Sequence, residues 1–146
     1  METPLKLTVR LIVGKPAAGK SFLANQLQQQ YNSIVVDDPF HFDQIKRAIQ
    51  VAILFVDEPE PPCVIICDCF LCEARVREKL DSRLKREFSE VEFNFIYYFF
   101  ENNPAKCLKN VEYRNDGRKV LGSIRRFAKT YEIPDGITPI PIWEPQ

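Results

Sequence analysis

The chain has 146 residues, of which 45% are hydrophobic and 27% are charged, and its formal net charge is zero. This length predicts a single domain, residues 1–146, with a buried core. The zero net charge excludes a general attraction to nucleic acid, so binding of that kind requires a local basic patch.

Strand and helix patterns alternate along the chain. Apolar, β-branched runs indicate strands, and apolar residues every three or four positions indicate helices. In chain order, the predicted elements are a strand at residues 7–13, a helix at 21–30, a strand at 33–36, a helix at 42–56, a strand at 63–67, a helix at 72–88, a strand at 91–100, and helices at 104–115 and 120–131. The proline-punctuated residues 137–143 predict an edge strand. This order predicts an α/β fold with a central parallel β-sheet flanked by helices.

A phosphate-binding pattern lies between the first strand and the first helix. The segment reads Gly14-Lys15-Pro16-Ala17-Ala18-Gly19-Lys20-Ser21 and meets Gly-x-x-x-x-Gly-Lys-Ser in full. In such loops the backbone N–H groups point at phosphate oxygens, aided by the positive end of the following helix. We expect Lys20 to reach the β- and γ-phosphates and Ser21 to bind Mg²⁺. Phe22 completes the expected nucleotide-binding segment.

The loop predicts a nucleoside triphosphate site and leaves the reaction open. A GTPase normally carries an Asn-Lys-x-Asp motif for guanine, which this sequence lacks. Motor and AAA-type ATPases need a longer chain. A small ATP-dependent kinase is therefore the main interpretation, and a nucleotide-binding regulatory module without turnover is an alternative from another class.

Carboxylates follow two of the predicted strands. Asp37 and Asp38 end the second strand and Asp68 ends the third. The carboxyl ends of parallel strands share one edge of the sheet, which also bears the phosphate-binding loop. We expect either Asp37 or Asp38 to accept the hydroxyl proton in phosphoryl transfer, and the pattern does not decide which. Asp68 is expected to support Mg²⁺, with helix capping or substrate positioning as alternatives.

A basic segment follows the last predicted strand. Residues 109–129 carry seven basic and two acidic side chains in a chain of zero net charge. Arg114 and Arg118 flank Asn115-Asp116-Gly117, a break suited to a closing lid over about residues 114–131. We expect both arginines to stabilise the transferred phosphoryl group. For the basic residues further along, a solvated helix face is an equally good explanation.

Other residues near the expected site have structural explanations. His41 suits a surface or helix-capping position better than catalysis. The aromatic side chains of Phe40, Phe42 and Phe70 either stack on a base or belong to the core.

The five cysteines are expected to be reduced thiols that serve as small apolar side chains. Three of them form the cluster Cys67-x-Cys69-x-x-Cys72, but a zinc site lacks a second ligand pair at suitable spacing. The chain opens without a secretory pattern and contains no apolar run near the roughly 18 residues of a membrane span. We therefore expect a cytoplasmic protein.

Together these motifs resemble the phage-type polynucleotide 5′-hydroxyl kinases and the related phage kinases proposed to phosphorylate 5-hydroxymethyluracil in DNA. The features that carry the resemblance are the phosphate-binding loop, the aspartates after the second strand, Val64-Ile65-Ile66-Cys67-Asp68, and Arg114-Asn115-x-x-Arg118 before a helix. The resemblance implies a P-loop kinase fold, ATP and Mg²⁺ as cofactors, and a nucleic-acid partner, with DNA favoured. It also implies that Asp68 contacts or orients the acceptor.

The resemblance implies transfer of the ATP γ-phosphoryl group to a nucleic-acid hydroxyl, either the 5-hydroxymethyl group of a modified pyrimidine or a 5′ end. A nucleoside or other small-molecule kinase is the alternative among enzymes. Two departures stand out: the 146 residues include no phosphatase domain, and no arginine follows the aspartates, where the sequence reads Pro39-Phe40-His41. The second departure leaves the acceptor open. A phage-encoded protein of this kind would act in the host cytoplasm.

Overall fold

Four parallel strands form one sheet in the order β2-β3-β1-β4. The computed structural model describes residues 4–114 and 120–144. The strands are β1 (Leu5–Val13), β2 (Ser33–Asp37), β3 (Cys63–Cys67) and β4 (Val91–Phe99), and the helices are α1 (Lys20–Gln30), α2 (Phe42–Leu54), α3 (Ala74–Glu87), α4 (Pro104–Arg114) and α5 (Leu121–Thr130). The predicted α/β fold, with a parallel sheet flanked by helices, is confirmed at this level.

Apolar side chains fill the space on both faces of the sheet. All five residues of β3 are buried, as its continuous apolar run predicts for a strand covered on both sides. Helices α2 and α3 pack with one face of β1, and α1 and α4 pack with the other. Helix α5 contributes to both clusters, through Phe127 on one side and Ile124 on the other. In the part of the chain that the structure describes, no helix has the length and apolar character that crossing a bilayer requires.

The strand register brings the carboxyl ends of β1, β2 and β3 together. Cys67 pairs with Asp37 on one side and with Ile12 on the other. The Asp38 N–H donates to the Cys67 carbonyl at 2.8 Å, so the pairing continues one residue beyond β2. The connection that leaves β1 runs to the β2 side of the sheet, whereas the connection that leaves β3 runs to the β4 side. A crevice at such a reversal is the usual ligand site of an open parallel sheet.

Most predicted element boundaries agree with the structure to within two residues. The predicted helix at 72–88 is wrong at its start, because Cys69–Cys72 forms a separate 3-10 helix and Glu73 is extended before α3 begins. The predicted edge strand at 137–143 is reduced to a bridge between Phe100 and Ile140. Pro139 and Pro141 flank Ile140 and carry no N–H, which prevents a longer ladder.

Arg77 on α3 is a buried cation that joins distant segments. Its guanidinium donates to the carbonyl oxygens of Leu71 at 2.6 Å, Cys72 at 3.1 Å and Glu132 at 2.8 Å. It also lies 5.0 Å from the centroid of the Phe99 ring. The side chain therefore links the segment after β3, the end of β4 and the segment after α5.

We expect Arg77→Lys to lower the free energy of unfolding by about 2–3 kcal/mol, since an ammonium group cannot reach three carbonyls that a planar guanidinium spans. Urea denaturation followed by circular dichroism measures the loss. The control is Arg75→Lys on the same helix, where the side chain is 73% exposed and the change should stay within about 0.5 kcal/mol. Equal losses in the two variants would contradict the linking role.

Candidate active site

The loop between β1 and α1 has an unusual backbone. Gly19, the N-cap of α1, has a φ of 109°, which favours glycine, and Ala17 has a φ of 65°. The Lys20 ammonium group donates to the Lys15 carbonyl oxygen at 2.9 Å, and the Ala18 N–H donates to the same oxygen at 3.2 Å. The loop therefore folds back on itself, with the Lys20 side chain lying across it.

Side-chain and backbone N–H groups behind the loop donate hydrogen bonds to its carbonyl oxygens. The Asn110 amide donates to the carbonyl oxygens of Ala17 at 2.8 Å and Trp143 at 2.6 Å. The Trp143 N–H donates in turn to the Ala18 carbonyl oxygen at 3.1 Å. A Cβ atom on Gly19 would lie 2.9 Å from the Trp143 Cβ, a distance that real structures avoid. The segment after α5 thus closes over the back of the loop and requires glycine there.

Lys15 and Tyr131 support the base of the loop from the interior. The Lys15 side chain is fully buried, and its ammonium group donates to the Asn102 Oδ1 atom at 2.5 Å. Burial lowers the pKa of Lys15. The Tyr131 hydroxyl contacts the carbonyl oxygens of Val13 at 3.2 Å and Phe100 at 2.5 Å. The Lys15 side chain is therefore part of the internal support, and contact of its backbone N–H with nucleotide stays a prediction.

A cavity of about 660 Å³ lies outside the carboxyl ends of the strands. It collects the described residues that were predicted to be catalytic or metal-binding, namely Lys20, Ser21, Asp37, Asp38, Asp68 and Arg114. Pro16, Ala17 and Gly19 of the loop also line it. Arg118 lies outside the described residues.

Three other residues of the expected nucleotide-binding segment have different surroundings. Gly14 and Ala18 are buried, and a Cβ atom on Gly14 would meet both the Phe100 ring and the Ala18 side chain at about 3.3 Å. Phe22 is 54% exposed on α1 and is not among the residues that line the cavity.

The three aspartates occupy distinct positions in the cavity. The Ser21 hydroxyl donates to Asp37 Oδ2 at 3.3 Å. Asp38 has a φ of 45°, and this left-handed turn leads the chain out of β2. Ligand-type atoms of Asp38, Asp68 and Cys69 all lie within 4.8 Å of one another. Asp37 is therefore associated with the loop serine, and Asp38 with the residues that follow β3.

The Asp68 carboxyl has an elevated pKa. Burial raises it from an ordinary value of 3.8 to about 6, and the negative charges of Asp38 and Asp37 add to the rise. The Phe70 N–H, which donates to Asp68 Oδ1 at 3.0 Å, and the Lys20 charge oppose it. At neutral pH the group is an anion with raised proton affinity, which suits a residue that accepts or shares a proton.

The donor set fits a hard divalent cation better than a soft one. Carboxylate and hydroxyl oxygens are the ligands that Mg²⁺ prefers, and a cation would offset the crowding of negative charge at Asp68. Cys69 is the nearby thiol, and burial raises its pKa to about 11, so it is protonated at neutral pH. Cys67 and Cys72 are fully buried in the core. The expectation that the cysteine cluster holds no zinc stays a prediction.

Helices α4 and α5 also contribute to the lining of the cavity. Val111 and Arg114 line it from α4, Ser123 lines it from α5, and Val120 lines it from the position before α5. Arg114 is exposed at the end of α4. Helix α5 is anchored by Ile124 and Phe127, which are almost completely buried. The predicted lid over about residues 114–131 would therefore include an anchored helix, and both the lid and its closure stay predictions.

The aromatic residues near the site divide into two groups. Phe42 is half-buried against the core beneath Arg83, whose guanidinium lies 3.7 Å from its ring centroid. Phe40 and Phe70 line the cavity. His41 is exposed at the N-cap of α2, as its capping explanation predicts.

Sequence reasoning missed the contacts that the buried Asn110 and the partly buried Tyr131 and Trp143 make behind the loop. A signal existed for Asn110, which lies three residues after the buried Cys107, in the apolar stripe of α4. A polar residue in such a stripe is expected to have buried hydrogen-bond partners.

Comparison with known proteins adds a distant similarity. No protein-family model matches this chain. An uncharacterized protein of Acanthamoeba polyphaga mimivirus is 25% identical over 129 residues, which cover 84% of this chain and 85% of that protein. The similarity extends over most of both chains but carries no functional information, so the functional argument depends on the cavity.

We expect Asp68→Asn to stabilise the protein at pH 8 by about 1–2 kcal/mol, after allowance for partial solvent access. The folded protein binds the Asp68 proton more tightly than the unfolded chain does, so this group's contribution to stability decreases as pH rises from 3.8 to about 6. Asparagine removes the charge and can still accept from the Phe70 N–H. Urea denaturation at pH 5 and pH 8 measures the difference.

The matched control for this substitution is Asp57→Asn in the exposed loop after α2. It should leave the pH dependence of stability unchanged. An Asp68→Asn variant with the same pH dependence as the unsubstituted protein would contradict the elevated pKa.

Proposed function

We propose that this protein is a P-loop kinase that transfers the γ-phosphoryl group of ATP, with Mg²⁺, to a hydroxyl group on a nucleic acid. The observation that carries the proposal is the single cavity that Lys20 and Ser21 share with three aspartates. A protein that only binds nucleotide needs the lysine and serine. A carboxylate with raised proton affinity beside them favours an enzyme that handles an acceptor proton.

The loop is proposed to hold the triphosphate. Its N–H groups and the N-terminus of α1 suit phosphate oxygens, and the flexible Lys20 side chain can leave the Lys15 carbonyl oxygen for the β- and γ-phosphates. The Ser21 hydroxyl and the Asp37 carboxylate, already in contact at 3.3 Å, suit a Mg²⁺ ion or its bound water. When bound, the cation would neutralise charge on the phosphates.

The aspartates are proposed to activate the acceptor. The acceptor oxygen attacks the γ-phosphorus, its proton passes to a carboxylate, and the bond from the γ-phosphorus to the β–γ bridging oxygen breaks to release ADP. Either Asp37 or Asp38 serves as the base, and Asp68 orients the hydroxyl. The contact of Asp37 with Ser21 and the proximity of Asp38 to Asp68 favour Asp38 on the acceptor side.

Arginines are proposed to stabilise the charge on the transferred group. Arg114 lines the same cavity as the aspartates. Arg118 is proposed to share this task on the basis of its sequence position alone. A guanidinium is well suited, since it can make paired hydrogen bonds to phosphoryl oxygens.

The nucleic-acid acceptor is supported by exposed basic residues on the helix that borders the cavity. Arg125, Arg126 and Lys129 on α5 are exposed, and α5 borders the cavity through Ser123. The sequence resemblance points to the same class of acceptor. The acceptor hydroxyl is proposed to be a 5-hydroxymethyl group of a pyrimidine in DNA or a polynucleotide 5′ end.

The test is transfer of labelled γ-phosphate from ATP and Mg²⁺ to 5′-hydroxyl DNA and RNA, to DNA that contains 5-hydroxymethyluracil, and to free nucleosides. We expect label on a polymer, with a rate lowered at least about 100-fold by Lys20→Ala. The control, Lys79→Ala on the exposed side of α3, should retain full activity.

The asparagine variants at positions 37, 38 and 68 distinguish the roles of the three acids. Loss of the general base should lower the rate by about 10²–10⁴-fold. Label on nucleosides alone would replace the nucleic-acid acceptor with a small molecule. Tight ATP binding without transfer to any acceptor would favour a regulatory module over a kinase.

A further inference from the structure

Two phenylalanine rings stand at the edge of the cavity. Phe40 is 91% exposed and Phe70 is 46% exposed, and both line the cavity that contains the aspartates. Single exposed apolar side chains are common on protein surfaces. Here two aromatic rings line the same cavity as a group of carboxylates. Covering both rings with a flat ligand would remove apolar surface from water and so favour binding.

The backbone at Phe40 is fixed although its ring is exposed. The Phe40 N–H donates to Gln44 Oε1 at 2.7 Å, and the His41 N–H donates to the same oxygen at 3.3 Å. Pro39 precedes the ring with a fixed φ angle. The helix start therefore presents the ring from a rigid base, and less conformational entropy is lost when a ligand covers it.

Phe70 packs against the core through its ring and contacts Asp68 through its backbone. Its ring packs edge-on against Phe127, with centroids 5.3 Å apart and an interplanar angle of 88°. Its N–H donates to Asp68 Oδ1 at 3.0 Å. The Arg126 guanidinium lies 5.6 Å from the ring centroid. A ligand that rests on Phe70 is therefore held beside the Asp68 carboxylate and near a cation.

We propose that Phe40 and Phe70 form a stacking subsite for a nucleobase of the acceptor. This inference rests on the kinase function proposed above and adds the chemical class that the acceptor must carry, a planar aromatic base instead of an aliphatic alcohol. Each base has a π face, so the rings supply affinity for any base while the carboxylates select the hydroxyl. Stacking of this kind lowers the Kd roughly 5- to 100-fold.

The test measures binding of short single-stranded DNA labelled with a fluorophore at its 3′ end, by anisotropy and without ATP. The oligomers are intact or carry one abasic nucleotide, either at the 5′ end or at the centre. The protein variants are Phe40→Leu, which keeps an apolar side chain but removes the ring, and Phe40→Trp, which keeps a ring. Phe55→Leu, at the far end of α2 and 47% exposed, is the matched control.

We expect Phe40→Leu to weaken binding of the intact oligomer roughly 5- to 100-fold, and Phe40→Trp and Phe55→Leu to have less than about a 2-fold effect. Removal of the contacted base should weaken binding of the oligomer to the unsubstituted protein by a similar factor. Phe40→Leu should then have no further effect on binding. The position of that base distinguishes a 5′-terminal acceptor from an internal one.

Equal effects of Phe40→Leu on intact and abasic oligomers would overturn the subsite, as would no effect on any of them. Competition by free thymidine, but not by glycerol, would extend the subsite to a free nucleoside. Absence of base-dependent binding to oligomers and nucleosides alike would overturn it. No phosphate is transferred in this binding assay, so it tests the subsite separately from the kinase activity. Base-dependent binding without kinase activity would contradict only the proposed function. Kinase activity without base-dependent binding would contradict only the subsite.

Discussion

The hydrogen bonds behind the β1–α1 loop are the constraint on which the rest of the site depends. A loop with two left-handed residues keeps its conformation only when its buried carbonyl groups have hydrogen-bond partners. Asn110 and the Trp143 backbone supply these partners for Ala17 and Ala18. Polar contacts beneath the loop thus fix its outer surface, and the apolar packing of α4 holds Asn110 in position.

Three aspartates give the cavity a high local density of negative charge. Parallel pairing brings Asp37 and Asp38 next to the end of β3, where Asp68 is partly withdrawn from water. Burial is the main cause of the raised pKa of Asp68, and the like charges of Asp38 and Asp37 add to it. These effects disappear when the strands separate, so the sheet register contributes to the acid–base properties of Asp68.

The sequence was most informative where the signal was local. The succession of strands and helices along the chain and the shared edge that the aspartates after β2 and β3 occupy could be predicted, because periodicity and the geometry of a parallel sheet determine them. The internal orientation of Lys15, the elevated pKa of Asp68 and the break at Glu73 could not. Each depends on which distant residues pack nearby, and a single sequence contains no direct record of those contacts.

The closure of the loop by a late segment has a consequence for folding. Tyr131 contacts the Val13 carbonyl oxygen across 118 residues of chain, and Asn110 reaches Ala17 across 93. Contacts this distant in sequence form late, since a long chain must be brought together before they contribute. During synthesis the β1–α1 segment is made before the residues that contact it from behind. A nascent chain therefore cannot complete the contacts behind the β1–α1 loop before the segment that contains Asn110 and Tyr131 has been synthesised.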